Sequence, residues 1–192
     1  MTTVVTGGAG FIGSALVRAL VGDGEPVITV DKLTYAGNLD NLASVIDDPH
    51  HVFICADICD RAAMAAILQD HRPRTLFNLA AESHVDRSID APDVFIRTNV
   101  GGTATLLEVA LNYWRTLSAA DRAGFRFMQI STDEVYGELG PTGYFADGSP
   151  YRPNSPYAAS KAGADHLVRA WFHTYGLPVL LSNFVVRPPA GP

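Results

Sequence analysis

The sequence has few cysteines, a deficit of positive charge and no long apolar run. Its 192 residues include two cysteines, Cys55 and Cys59, too few for a disulfide framework. Their C-x3-C spacing, with no second pair and no suitably spaced histidine, reads as ordinary thiols and predicts no metal site. Lys and Arg number 14 against 20 Asp and Glu, a formal charge of −6. An acidic chain without a Lys/Arg cluster argues against nucleic acid or an anionic membrane as a partner. No apolar stretch approaches the roughly 18 residues that a membrane-spanning helix needs. The N-terminus enters a strand-like run at once, so no charged leader is expected. Together these absences predict a reduced, cytoplasmic setting. What is present is a globular balance, 47% hydrophobic and 18% charged, at a length that suits one domain, or one and part of a second. One oddity is that Pro188, Pro189 and Pro192 crowd the last five positions.

Short β-branched runs alternate with longer helical patterns. Strands are predicted over 2–6, 26–30, 51–55, 75–79, 125–130 and 178–183. Each is nearly continuously apolar, as strands buried on both faces are. Helices are predicted over 11–21, 39–46, 61–70, 93–117 and 155–175. Asp60 is an N-cap for the third, Gly101-Gly102 interrupts the fourth, and Ser155-Pro156 is a favoured start for the fifth. The alternation implies right-handed crossovers and a doubly wound α/β fold, a parallel sheet with helices on both faces. Residues 137–154, rich in Gly, Pro and Tyr, read as a long functional loop.

Thr6-Gly7-Gly8-Ala9-Gly10-Phe11-Ile12-Gly13 sits between the first strand and the first helix. Gly7 permits a tight turn, Gly10 lets the backbone approach a pyrophosphate, and Gly13 lets the helix pack closely; the diphosphate would meet the positive helix end. The second strand is followed by Asp31, 18 residues after Gly13. A carboxylate there accepts from ribose hydroxyls and repels a 2′-phosphate, which favours NAD over NADP, although the neighbouring Lys32 pulls the other way. Asp57-Ile58 follows the third strand, where Asp57 suits either an adenine contact or a helix cap. In Asn78-Leu79-Ala80-Ala81 the small residues leave room for a cofactor at the strand end.

Ser131-Thr132-Asp133-Glu134 ends the fifth strand and Tyr157-Ala158-Ala159-Ser160-Lys161 opens the last helix. Carboxyl ends of strands line the ligand crevice of such sheets, so both segments can reach one site. Tyr157 and Lys161 are four apart and share a helical face. A free Tyr titrates near 10, and an adjacent ammonium with a cationic nicotinamide would stabilise its phenolate. Lys161 can also hold the nicotinamide ribose, and Thr132 can orient the substrate hydroxyl. The competing reading is structural: 157, 161, 164, 168, 171 and 175 form one stripe, and a Tyr on such a stripe is commonly core. Asp133 and Glu134 can act as an acid and a base if their environments separate them, but only if the strand has already broken into a loop.

Taken together these stretches resemble the extended short-chain dehydrogenase/reductase family and, within it, the dTDP-glucose 4,6-dehydratases. The Gly-rich and Tyr-x-x-x-Lys stretches mark the superfamily, and Thr132-Asp133-Glu134 marks nucleotide-sugar 4,6-dehydratases. The stretches from Lys32 to Asn38 and from Glu82 to Ser88 point to the dTDP-glucose type. The resemblance implies an internal redox cycle. Tyr157 takes the 4-hydroxyl proton as hydride passes to NAD+. Glu134 removes the C5 proton, Asp133 protonates the departing 6-hydroxyl so that water leaves, and hydride returns to C6 as a proton returns to C5. By the same matching, the cofactor residues would be Gly7, Gly10, Phe11, Ile12, Gly13, Asp31, Lys32, Thr34, Ala36, Gly37, Asp57, Ile58, Leu79, Ala80, Ala81, Ser83, Asn99, Ser131, Tyr157 and Lys161. The catalytic residues would be Thr132, Asp133, Glu134, Tyr157 and Lys161. Ser83, Thr132 and Asn183 would approach a nucleotide-sugar substrate, dTDP-glucose. The two long helices would form a homodimer interface.

The resemblance covers residues 2 to about 183. After Asn183 the family continues with a polar, Asn-rich stretch, whereas this chain reads Phe184-Val185-Val186-Arg187-Pro188-Pro189-Ala190-Gly191-Pro192. The expectation is an NAD-binding domain over 1–183, a divergent tail over 184–192 and an absent substrate domain, a pattern that a reading-frame shift after Asn183 would produce. Two alternatives to the dehydratase stand: a nucleotide-sugar 4-epimerase, which shares Tyr-x-x-x-Lys but needs no acid to expel a 6-hydroxyl, and a non-catalytic NAD-binding remnant.

Overall fold

Six short strands, β1 (Thr3–Thr6), β2 (Val27–Asp31), β3 (His51–Cys55), β4 (Thr75–Asn78), β5 (Arg126–Thr132) and β6 (Val179–Phe184), pair in parallel in the order β3-β2-β1-β4-β5-β6. The structure, a computed structural model, describes residues 2–139, 143–146 and 148–184; the divergent tail beyond Phe184 lies outside them. The chain leaves the sheet centre in one direction through β1, β2 and β3, then returns to β4, β5 and β6. A crevice therefore opens where the order reverses, between β1 and β4. Register sets that crevice: Thr6 pairs with Val30 on one side and Asn78 on the other.

Helices cover both faces. Neighbouring Val4 and Val5 of β1 belong to opposite cores, as the period of two along a strand requires. Val4, Ile28, Leu76 and Phe127 pack with Met64 and Leu68 of α2 (Arg61–His71), Leu106 and Leu107 of a later helix and Val168 of the last. Val5 and Val27 pack with Val17 and Val21 of α1 (Phe11–Gly22) and with Leu42 and Val45. Between β4 and β5 run the short α3 (Val85–Asp90), α4 (Pro92–Phe95), a π-helical segment (Ile96–Gly102), α5 (Thr103–Thr116) and α6 (Ala119–Gly124). The long α7 (Pro156–Tyr175) precedes β6. Among the described residues no helix is long and apolar enough to cross a membrane.

Local chemistry explains most boundaries. The Asp60 side chain accepts from the N–H groups of Ala62 and Ala63, both at 3.0 Å, and starts α2. Ser155 Oγ accepts from Ala158 N at 3.0 Å, and Pro156 occupies the first position of α7. Three expectations are corrected, and two short helices are added. Residues 39–46 are not an α-helix. Leu39–Leu42 is a 3-10 turn, and i+3 bonds continue from Val45 N to Leu42 O and Asp48 N to Val45 O. Leu39, Leu42 and Val45 are spaced by three, which stacks on a threefold turn and not on a 3.6-residue one. Gly101-Gly102 does not interrupt the helical run; the backbone widens into the π segment and continues into α5. A Cβ at Gly102 would lie 2.5 Å from Ile58 Cδ1, so Gly102 lets the rod approach the loop after β3. α3 and α6 carry too little periodicity to be anticipated. Finally, β3 and β6 are not buried on both faces, because among the described residues they are the sheet edges; Leu180 of β6 is 50% exposed.

Candidate active site

A cleft of about 470 Å³ opens at the carboxyl ends of β1, β2, β3, β4 and β5. Its floor is the Gly-rich turn. Gly7 has φ +70, and a Cβ there would sit 2.6 Å from Ala80 N, so only glycine fits. A Cβ on Gly13 would collide with the Gly7 carbonyl oxygen. Gly10 is the N-cap of α1 and supplies no side-chain acceptor. The first N–H groups of a helix have no intrahelical partner, and here they face the cleft beside Gly10, Phe11, Ile12 and Gly13. This is a bed for an anion.

The wall at β2 and β3 is charged. Asp31 accepts from Ala9 N (3.0 Å) on one oxygen and Leu33 N (2.8 Å) on the other, which aims the carboxylate across the Gly-rich turn. Asp57 does not cap α2, a task taken by Asp60; it folds its own turn by accepting from Cys59 N (2.9 Å) and meets Lys32 Nζ at 3.4 Å. Burial opposes ionisation of Asp57, but the Cys59 N–H and the Lys32 charge outweigh it and hold its carboxyl below the usual range. Asp31, Lys32, Thr34, Ala36, Gly37, Asp57 and Ile58 all line the cleft.

The opposite wall follows β4: Leu79, Ala80, Ala81 and Ser83 line it. Beneath it lies a buried polar chain. Thr6 Oγ1 donates to Asn78 Oδ1 (2.7 Å), and Asn78 Nδ2 donates to Gln129 Oε1 (2.8 Å) and Thr103 Oγ1 (3.4 Å). Asn99 is not on the cleft surface. It is 2% exposed, accepts from Glu82 N (2.8 Å), and donates to Glu82 O (3.0 Å) and Ser160 Oγ (2.8 Å). Its amide is fully engaged in fixing the wall to α7. Val30, Ala56, Glu82, His84, Thr98 and Ile130 also line the cleft and were not anticipated. Val30, Ala56 and Ile130 each precede a residue that was, so the strand-end rule could have found them.

At β5 the strand stops at Thr132 and Asp133–Tyr136 winds into a 3-10 turn. Thr132 Oγ1 caps this turn by accepting from Glu134 N at 3.2 Å. Asp133 and Glu134 are thereby freed from the alternation of a strand, the condition their joint use requires. Glu134 is exposed yet partly desolvated; burial first, and the Asp133 charge second, raise its carboxyl above the usual range. Tyr157 lines the cleft with 9% exposure, stands edge-on to Phe95 and hydrogen-bonds Thr132. Burial, then the Glu134 charge, push its phenol up to about 12, against the Thr132 hydrogen bond. Its proton affinity is therefore not set by the neighbouring ammonium expected to lower it. Lys161 Nζ instead donates to the Ile130 carbonyl at 2.6 Å. Burial drives this ammonium down to about 8, opposed by Asp165. Asp165, 2% exposed, accepts from Ser131 Oγ (2.6 Å) and Tyr151 OH (3.0 Å), and burial raises its carboxyl. Sequence reasoning missed Asp165, although its spacing of four from Lys161 was a usable signal. The helical stripe serves both readings: Tyr157 and Lys161 reach the cleft, while Val168 on the same face packs in the core. Thr132, Asp133, Glu134 and Asn183 lie beyond the cleft lining, next to Tyr157 and Ser131; Asn183 Nδ2 ties β6 to the Thr132 carbonyl at 3.0 Å.

Comparison with known proteins matches this arrangement. The chain is 56% identical over 182 residues to a dTDP-glucose 4,6-dehydratase of Xanthomonas campestris pv. campestris, covering 95% of this chain and 52% of that one. A crystal structure of DesIV, a dTDP-glucose 4,6-dehydratase from Streptomyces venezuelae with NAD and TYD bound, superposes with a TM-score of 0.84 at 47% identity, over 94% of this chain and 54% of that one. A UDP-glucose 4-epimerase from Thermus thermophilus in complex with NAD superposes at 0.81 with 30% identity, over 94% and 54%. The chain thus spans about half the length of the relatives it matches. The family described as GDP-mannose 4,6 dehydratase matches residues 4–186, from the first strand through the last, and the chain belongs to that family.

Proposed function

We propose that residues 1–183 form the NAD-binding and catalytic part of a dTDP-glucose 4,6-dehydratase. The observation that carries this reading is the 3-10 turn at Asp133–Tyr136, which releases two carboxylates from β5 beside Tyr157. An epimerase has no use for such a pair. The cleft fits the cofactor on its own geometry: a glycine bed that a Cβ would fill, an uncapped helix start and an aimed Asp31. NAD+, when bound, supplies a hydride acceptor that carries positive charge and is restored to NAD+ when the hydride is returned.

The chain's own residues then divide the proton work. Tyr157 Oη takes the 4-hydroxyl proton, with Thr132 Oγ1 orienting that hydroxyl. Ligand-free, the phenol is held protonated near 12, so nearby positive charge is required before it can act as a base at neutral pH. Lys161 holds the nicotinamide ribose and is itself anchored on β5 through Ile130 O. Glu134, with its raised proton affinity, removes the C5 proton that the 4-keto group acidifies, and Asp133 protonates the departing 6-hydroxyl. Ser83 and Asn183 approach the sugar nucleotide. The assembly proposed is a homodimer in the cytoplasm, joined through the Pro92–Thr116 rod and α7; support comes from the exposed Ile96, Phe172 and Tyr175 and from two free thiols.

One assay tests the reading: incubation of the chain with NAD+ and dTDP-glucose, followed by detection of an alkali-sensitive keto sugar. A 4-keto-6-deoxy product is the expected result. A galactose product would favour the epimerase, and NAD binding without turnover would favour the non-catalytic remnant.

A further inference from the structure

The charged wall of the cleft contains a contradiction that the fold resolves. Asp31, at the end of β2, stands where such folds bind the adenosine ribose. The next residue, Lys32, lines the same cleft and is the kind of cation that a 2′-phosphate recruits. Among the described lining residues the other Lys or Arg is Lys161, whose ammonium is directed to the Ile130 carbonyl. Lys32 is therefore the cation that would decide whether a phosphorylated ribose is tolerated.

Parallel pairing brings its partner. Asp31 registers with Cys55 of β3, and two residues further on Asp57 places Oδ2 3.4 Å from Lys32 Nζ. The other Asp57 oxygen accepts from Cys59 N at 2.9 Å, so the carboxylate is fixed by the backbone before it meets the lysine. Both side chains are about one-third exposed, the cleft being open enough for a nucleotide to touch either. We infer that Asp57 is a specificity-determining residue: by pairing with Lys32 it withholds from a 2′-phosphate the one cation positioned for it. Asp31, Lys32 and Asp57 together present one net negative charge to a group that carries nearly two at neutral pH. Exclusion of NADP thus rests on the pair as well as on Asp31. This builds on the reading that the cleft takes NAD.

The test compares NAD+ and NADP+ dissociation constants for the full chain and for Asp57→Asn, Lys32→Ala and the double variant. Asparagine keeps an oxygen for the Cys59 N–H, so the turn survives, and an adenine contact affects both dinucleotides alike and cancels in the ratio. Freeing a partly exposed lysine should shift the NADP+/NAD+ affinity ratio about fivefold towards NADP+, the scale of a modest ion pair plus one removed repulsion. In the Lys32→Ala background the same substitution should change the ratio less than about twofold. An equal gain in both backgrounds would overturn the inference, since Asp57 would then act only as a further negative charge. So would an unchanged ratio in Asp57→Asn. A wild-type chain that binds neither dinucleotide would instead overturn the NAD reading, and this inference with it.

Discussion

Asn99 separates two kinds of importance, and replacing it measures which one holds. Its side chain makes three hydrogen bonds among groups shielded from water: Glu82 is 7% exposed and Ser160 is fully buried. Ser160 Oγ in turn donates to the Tyr157 carbonyl at 2.7 Å. Asn99 is therefore the link between the cleft wall after β4 and the helix that carries Tyr157. In Asn99→Ala the Glu82 N–H and C=O both lose their partner. Each buried group left unsatisfied costs about 1–3 kcal/mol, so a loss of about 3 kcal/mol is expected, which for a chain of this size lowers Tm by roughly 6–12 °C. Thermal unfolding followed by circular dichroism, without cofactor, reads this directly. NAD+ affinity should fall in parallel, because Glu82 lines the cleft. Asn99→Asp should be at least as damaging: it keeps the acceptor for Glu82 N but cannot donate to Glu82 O or Ser160. An unchanged Tm together with weakened NAD+ binding would refute this account and make Asn99 a direct ligand, as the family resemblance implied.

Three further outcomes are expected. Gly13→Ala, which sets a Cβ against the Gly7 carbonyl oxygen, should weaken NAD+ binding more than about tenfold by deforming the turn, as measured by isothermal titration. Glu134→Gln should retain NAD+ binding and lose keto-deoxy sugar formation by at least about a hundredfold, within the usual range for a proton-transfer residue; an undiminished dehydration rate would reassign the base. Stability should also carry the Lys161 titration. Its folded value near 8 lies below the ordinary 10.5, so between those values the unfolded chain binds more protons and stability rises with pH. The full rise is about 3 kcal/mol. Denaturant titrations at pH 8 and 9.5 should show part of it in the wild-type chain and not in Lys161→Met, and equal slopes in both proteins would exclude it. Tyr157, raised in the folded state, acts in the opposite direction only above pH 10, which is why the comparison stops at 9.5.

The parts of the fold that were legible in the sequence are those whose cause is local. The Gly-rich turn is contiguous, so a positive φ at Gly7 and a close approach at Gly13 follow from eight residues. Asp60, Ser155 and Pro156 act within one helical turn, and each starts its helix where the sequence places it. Strand runs fall within one or two residues of their predicted ends. What the sequence did not show has non-local causes. Whether β3 or β6 is buried depends on being at the sheet edge, which no property of either strand reveals. Asn99 was read by position as a cofactor residue, and the direction of its side chain is decided by Glu82 and Ser160, 17 and 61 residues away. Asp57 offered two roles by position, an adenine contact or a helix cap; the cap went to Asp60, and Lys32, just past the end of the neighbouring strand, meets the Asp57 carboxylate.

By itself the sequence determined the order of strands and helices, the parallel sheet they imply and the identity of the side chains available at the strand ends. Short-range sterics, capping and periodicity suffice for these. Only the tertiary structure decided how those side chains are charged and aimed. Lys161 is depressed because β5 and α7 bury it, and Tyr157 is raised because burial and the carboxylate of Glu134 act on it together. Desolvation and Coulomb interaction depend on distance through space, and residues 32 and 57, or 99 and 160, become neighbours only when the sheet closes the crevice.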